Sequence, residues 1–155
     1  MRLYLVQHAE AKREDEDPAR PLTEKGWQDA RKVAQHAVGR AGVRPGRILH
    51  SGKLRAQQTA EVWAAATGGM EIAAAEGLDP TAAPAVWAER LARESGDLML
   101  VGHLPHLGRL ASLLLCGDAD SQVVRFETGG IVCLERGPDG RWSLRWAITP
   151  GTVGS

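Results

Sequence analysis

With 155 residues, 43% of them apolar and 25% charged, the chain has the size and balance of a folded domain that needs no covalent or metal staple. Its 19 basic and 19 acidic side chains cancel, which excludes the cationic surplus of a general nucleic-acid binder. Any affinity for anions must therefore come from a few converging cations.

Leu3-Tyr4-Leu5-Val6 reads as a buried first strand that ends at Gln7-His8-Ala9, followed by a polar loop from Glu10 to Pro21. Thr23 is placed to cap a helix on which Trp27, Ala30, Ala34, Ala37 and Val38 recur at helical spacing, with Gly39 and Gly42 as its stop. Arg47 to His50 is a second strand. Ser51 is expected to cap the next helix, which carries Leu54, Val62, Ala65 and Ala66 and stops at Gly68-Gly69. Met70 to Ala74 is a short strand, and a third helix starts near Thr81 and passes Trp87 and Leu91. Leu98 to Val101 is a buried strand, and Pro105 suits the first turn of a helix through Leu107, Leu110 and Leu114. Val123 to Phe126, Ile131 to Glu135 and Trp142 to Trp146 are predicted as strands, the last two joined by a turn at Pro138-Asp139-Gly140.

Strands alternating with helices imply an α/β fold, a three-layer α/β/α sandwich with a mostly parallel central sheet and an antiparallel C-terminal extension. No repeat, low-complexity tract or linker divides the chain, so residues 1–155 are expected to form a single domain. Cys116 and Cys133 lie in apolar stretches and are expected to be small core hydrophobes; two thiols make no disulfide framework and suit a reducing cytoplasm. The run Leu3 to Val6 is too short for a signal peptide and Leu110 to Cys116 too short to span a bilayer, so no membrane role is expected.

In an open parallel sheet, ligands bind beyond the carboxyl ends of the strands. There the first strand delivers Gln7 and His8, the second delivers Ser51 with Arg55 one turn later, and the strand at 98–101 delivers Gly102 and His103 ahead of a helix N-terminus. Each is weak evidence alone, and His36, His50 and His106 take the structural reading. Together, however, two imidazoles and a guanidinium make a coherent phosphoryl site. Arginine offers a planar fork matched to phosphate. One neutral imidazole can attack phosphorus while a second, as imidazolium, stabilises the developing charge. Backbone N–H groups at the helix N-terminus, around Leu104, add donors.

The ordered series Leu5-Val6-Gln7-His8-Ala9, Arg20-Pro21-Leu22-Thr23-Glu24-Lys25-Gly26, Ser51-Gly52-Lys53-Leu54-Arg55-Ala56-Gln57-Gln58-Thr59, Val101-Gly102-His103-Leu104-Pro105 and Phe126-Glu127-Thr128-Gly129-Gly130 resembles the histidine phosphatase superfamily (phosphoglycerate mutase-like). Within it, the chain is most similar to the short bacterial phosphohistidine phosphatases of the SixA type. The resemblance implies a His8 nucleophile that forms a phosphohistidine intermediate, with Arg55 and His103 binding the phosphoryl group and Arg20 bringing a further arginine. It implies no metal and no organic cofactor. A metal at His103 and His106 is disfavoured by the intervening Pro105 and the lack of a completing carboxylate or cysteine.

Two departures from the family pattern stand out. Arg-His-Gly is usual around the nucleophile, whereas this chain has Gln7-His8-Ala9. Gln7 keeps an amide donor without the charge. Losing a charged hydrogen bond of about 1.5–3 kcal/mol in the transition state would slow the reaction by about ten- to a hundredfold or somewhat more, part of which Arg20 could offset. Ala9 only requires a backbone without positive φ. Secondly, where larger members carry a general-acid carboxylate, this chain offers Glu76 and Asp79, each of which is as readily a solvated loop residue. A phosphohistidine leaving group can take its proton from solvent, so a dedicated acid is less necessary.

The expected partner is therefore a phosphorylated protein bearing phosphohistidine. The alternatives are a phosphatase of small phosphoesters using Glu76 or Asp79, and a low-activity or non-catalytic phospho-ligand binding module on account of Gln7. Trp27, Trp63 and Trp87 fall at core spacing, Trp142 and Trp146 are expected on one face of the last strand, Thr128 has a structural reading, and Lys12 to Asp17 forms a solvated loop.

Overall fold

Leu3, Tyr4, Leu5 and Val6 are all essentially inaccessible, as an uninterrupted apolar strand must be when both faces of its sheet are covered. In the computed structural model, which describes residues 1–154, this run is β1 (Arg2–Gln7). The other strands are β2 (Arg47–His50), β3 (Ile72–Ala74), β4 (Leu98–Gly102), β5 (Ile131–Arg136) and β6 (Trp142–Ile148). They form one six-stranded sheet in the order β3-β2-β4-β1-β5-β6. The first four are mutually parallel; β5 pairs antiparallel with β1, and β6 antiparallel with β5.

Alternation along the strands sorts the core into two layers. Tyr4, Val6, Met99 and Val101 pack on one face with α1 (Glu24–Ala41) and α2 (Leu54–Ala66). Leu3, Leu5, Leu98 and Leu100 pack on the other with α3 (Pro84–Ala92) and α4 (His106–Cys116). The result is the three-layer α/β/α arrangement. Trp63 and Trp87, one in each layer, have no exposed surface; truncating either to alanine would remove about 3–5 kcal/mol.

Thr23 caps α1, its side chain accepting from the Gly26 N–H, but the helix runs through Gly39 and ends only at Gly42, whose left-handed φ of 66° closes it. Ser51 does not cap α2: Lys53 holds the N-cap position with no side-chain cap bond, and the serine hydroxyl is engaged elsewhere. The third helix starts at Pro84, not near Thr81, and Pro105 precedes α4 as its N-cap. Residues 123–126 form no strand; Val124 and Phe126 instead pack their side chains onto the layer beside α4. Trp142 and Trp146 do not share a face. Cys133 pairs with Trp146 but Leu134 pairs with Leu144, so Arg145 is an extra residue that flips the alternation. Trp146 therefore joins the α1/α2 layer and Trp142 the α3/α4 layer. Cys133 is a core residue as expected, whereas Cys116, at the end of α4, is exposed. Among the described residues no helix is long and apolar enough to cross a membrane.

Candidate active site

The β1–β4 ladder continues one residue past the strand, where the His8 N–H donates to the Gly102 carbonyl at 3.0 Å. His8 thus emerges beside the end of β4, and His103 follows directly from it. On the other side the Gly129 N–H donates to the carbonyls of Gln7 and His8 at 3.2 and 3.1 Å, and the Gln7 N–H donates to the Gly130 carbonyl at 3.2 Å. The nucleophile candidate is clamped between two backbones. Gly129 has φ +80°, and a Cβ there would sit 3.3 Å from Pro150 Cγ, so the clamp depends on glycine.

The segment after His8 is equally fixed. Ala9 N–H donates to Thr59 Oγ1 at 3.0 Å, and the Thr59 hydroxyl donates to the Arg55 carbonyl at 2.8 Å. Leu22 N–H donates to Gln58 Oε1 at 2.8 Å. One face of α2 therefore carries Arg55 and also holds both ends of the loop between β1 and α1. Ala9 is fully buried and has no positive φ. At Gly26 a Cβ would lie 2.1 Å from the Glu10 carbonyl oxygen, so α1 can pack its first turn on this loop only without a side chain there.

The two candidate imidazoles meet, with ring centroids 5.1 Å apart and planes inclined by 50°. His8 Nδ1 lies 2.8 Å from the Ala9 carbonyl oxygen. A carbonyl only accepts, so Nδ1 carries the proton and Nε2 keeps its lone pair. Burial lowers the pKa of His8 against that hydrogen bond, helped by the charges of Arg55 and Arg20, which keeps the ring in its nucleophilic neutral form. For His103, burial first, then His8, Arg55, Lys53 and His106, push the pKa down to about 3. At neutral pH the second imidazole is therefore uncharged, a point that the sequence leaves open.

Arg55 and Arg20 lie close enough for each to act on His8, and burial together with Arg20 lowers the pKa of Arg55. Neither arginine has a carboxylate partner among the described residues, and Arg55 Nε is buried without an acceptor. Arg20 reaches in from the long loop on a backbone with φ +51°, its Nε donating to the Lys12 carbonyl at 3.0 Å. Two unneutralised guanidiniums beside two neutral imidazoles make a site for an anion. Gln7 is buried, its Nε2 donating to Thr128 Oγ1 at 3.3 Å and its Oε1 without a partner among the described residues.

Leu104 directly follows His103 at the approach to α4 and is 40% exposed. Other candidates lie apart from the cluster. Glu76 and Asp79 are exposed and line a separate cleft of about 280 Å³ with Ser51, Ala74, Ala75 and Gly77; the cleft touches the site only through Ser51. His36 is exposed, His50 Nδ1 accepts from the Gly52 N–H at 3.0 Å, and His106 is fully buried beyond the cluster. No group of three or more His, Cys, Asp or Glu among the described residues is placed to hold a metal ion. Sequence reasoning brought Ser51 to the strand end but missed its partner, since Oγ lies 2.6 Å from His103 Nε2, and it missed the contacts that Thr59 and Thr128 make. Thr59 could have been found, since a threonine four residues beyond Arg55 on a helix falls on the same face.

These features define a three-layer α/β protein with a paired-histidine anion pocket at the ends of its parallel strands. The comparisons with known proteins are more specific. The chain belongs to the histidine phosphatase superfamily (branch 1), whose family model matches residues 3–83. Members of that superfamily are phosphatases. An uncharacterized protein of Picosynechococcus sp. is 38% identical over 144 residues, covering 88% of this chain and 86% of the relative. Among solved structures, the protein histidine phosphatase SixA complexed with tungstate has the same fold, with a TM-score of 0.86 at 24% identity, covering 99% of this chain and 100% of that one. A protein of Agrobacterium tumefaciens described as a phosphohistidine phosphatase SixA is 28% identical, with a TM-score of 0.77 and coverage of 96% and 97%.

Proposed function

We propose that this chain is a phosphohistidine phosphatase that removes phosphoryl groups from histidine residues of a partner protein through a covalent intermediate on His8. The observation that carries the reading is the pairing of His8, its Nε2 lone pair free, with His103 5.1 Å away and two unneutralised arginines alongside. In the first step His8 Nε2 attacks phosphorus and the P–N bond of the substrate breaks. The leaving imidazole takes its proton from solvent. In the second step water attacks the phosphorus on His8, releasing inorganic phosphate and the neutral ring. Arg55, Arg20, His103 and the amide of Gln7 surround the equatorial oxygens, where charge builds up. The likeness to proteins described as phosphohistidine phosphatases supports the choice of substrate.

A second reading, a phosphatase of small phosphoesters, draws on the cleft that holds Glu76 and Asp79 beside Ser51, since an alkoxide leaving group needs a proton donor. The two are separated by measuring phosphate release from a histidine-phosphorylated protein and from an alkyl phosphate, with wild type and with Glu76→Gln and Asp79→Asn. The first reading expects fast release from the protein and little effect of either variant. Preference for the alkyl phosphate, with loss in one variant, would overturn it. Phosphate binding with no release from either substrate would instead identify a binding module.

A further inference from the structure

We infer that Ser51 is a positioning residue that locks the tautomer of His103, so that Nδ1 carries the ring proton and donates it to a phosphoryl oxygen. The inference rests on the phosphoryl-binding reading of the site and adds to it a residue that acts only through another.

Ser51 Oγ has two polar neighbours among the described residues: the Lys53 N–H at 3.3 Å, which can only donate to it, and His103 Nε2 at 2.6 Å. The serine hydroxyl proton needs an acceptor, and of its two neighbours among the described residues Nε2 is the atom that can take it. An Nε2 that accepts bears no proton. His103 is 2% exposed and uncharged in this state, so its single ring proton must then lie on Nδ1, which is buried and without a partner among the described residues. A buried N–H with no acceptor is a standing deficit, and an anion held by Arg55 and Arg20 next to His8 removes it.

The surroundings favour a serine in this role. The groups acting on His103 are His8, Arg55, Lys53 and His106, all basic. A carboxylate on Nε2 would stabilise an imidazolium, whereas a hydroxyl orients the ring and leaves it neutral. Ser51 is itself held in place. The adjacent Gly52, at φ +91°, donates its N–H to the buried His50 at 3.0 Å, which fixes the turn from which the hydroxyl points. This also explains why Ser51 does not serve as the cap of α2.

The test uses the full chain labelled with ¹⁵N, comparing wild type, Ser51→Ala and Ser51→Thr, with the His103 ring signals assigned by their loss in His103→Gln. At neutral pH the ring nitrogens should show protonated Nδ1 and bare Nε2 in wild type. Ser51→Ala should shift the proton toward Nε2 and Ser51→Thr should restore the wild-type pattern, while thermal unfolding stays unchanged. Inorganic phosphate, titrated as the probe, should bind about tenfold more weakly to Ser51→Ala. Protonated Nε2 in wild type, or an unchanged tautomer in Ser51→Ala, would overturn the lock. Wild type with the expected tautomer but no affinity for phosphate would retain the lock and overturn the phosphoryl-binding reading.

Discussion

In the parallel half of the sheet, β2, β4 and β1 end side by side on Ser51, His103 and His8, whereas the antiparallel β5 and β6 bring mainly backbone to the same place. The difference follows from burial. β4 is buried along its whole length and β1 from Leu3 onward, while every residue of the edge strand β6 is at least partly exposed. Side chains that must meet to within an ångström project from strands fixed by ladders on both sides. The antiparallel extension contributes Gly129 and Gly130, whose backbone groups clamp Gln7 and His8 from the outer side. On the proposed reading, one half supplies the chemistry and the other holds its register.

The comparison can be broken by variants in either half. The largest effect is expected from Arg55→Ala in the parallel half: kcat/KM for phosphate release should fall on the order of 10²–10³-fold. A loss under threefold would mean that the arginine does not meet the phosphoryl group. Gly129→Ala tests the clamp. Forcing a side chain into φ +80° against Pro150 should lower the free energy of unfolding in urea by about 1–2 kcal/mol and slow turnover as well. Unchanged turnover with reduced stability would separate the two halves functionally. Gln7→Arg sharpens the picture from the other direction. It should raise turnover about tenfold and lower Tm in the absence of phosphate, because a third guanidinium joins Arg20 and Arg55. An unaltered rate would place residue 7 away from the developing charge.

The smallest effect concerns pH. His8, His50, His103 and His106 all have pKa values lowered first of all by burial. On acidification the unfolded chain binds protons from about pH 6.5 while the folded chain does not, so stability falls as pH drops. The loss should continue toward the pKa of His103, about 3. Urea midpoints at pH 7 and pH 5 provide the check, and greater stability at pH 5 would contradict the environments assigned to these rings.

Much of the architecture was legible because buried parallel strands are uninterrupted apolar runs, and Leu3–Val6 and Leu98–Val101 announce themselves as such. Their ends gave His8 and His103, which the fold brings to 5.1 Å. What stayed hidden depends on tertiary context. Ser51 looks like a helix cap until His103, 52 residues away, is folded against it. The flip between Trp142 and Trp146 arises from one unpaired residue, Arg145, which alternation along a single strand cannot show. Val123–Phe126 has strand-like composition but packs Val124 and Phe126 onto the α3/α4 layer instead of joining the sheet, and the apolar run ending at Cys116 turns outward in the last turn of α4.

The central claim, that His8 carries the phosphoryl group, is tested most directly by trapping. The chain is mixed with a histidine-phosphorylated protein, quenched in alkali within the first turnovers, and its peptides are examined by mass spectrometry. Phosphate on the His8 peptide of wild type, and none anywhere on the chain in His8→Ala, is the expected result. Release of inorganic phosphate by His8→Ala at the wild-type rate would contradict the account.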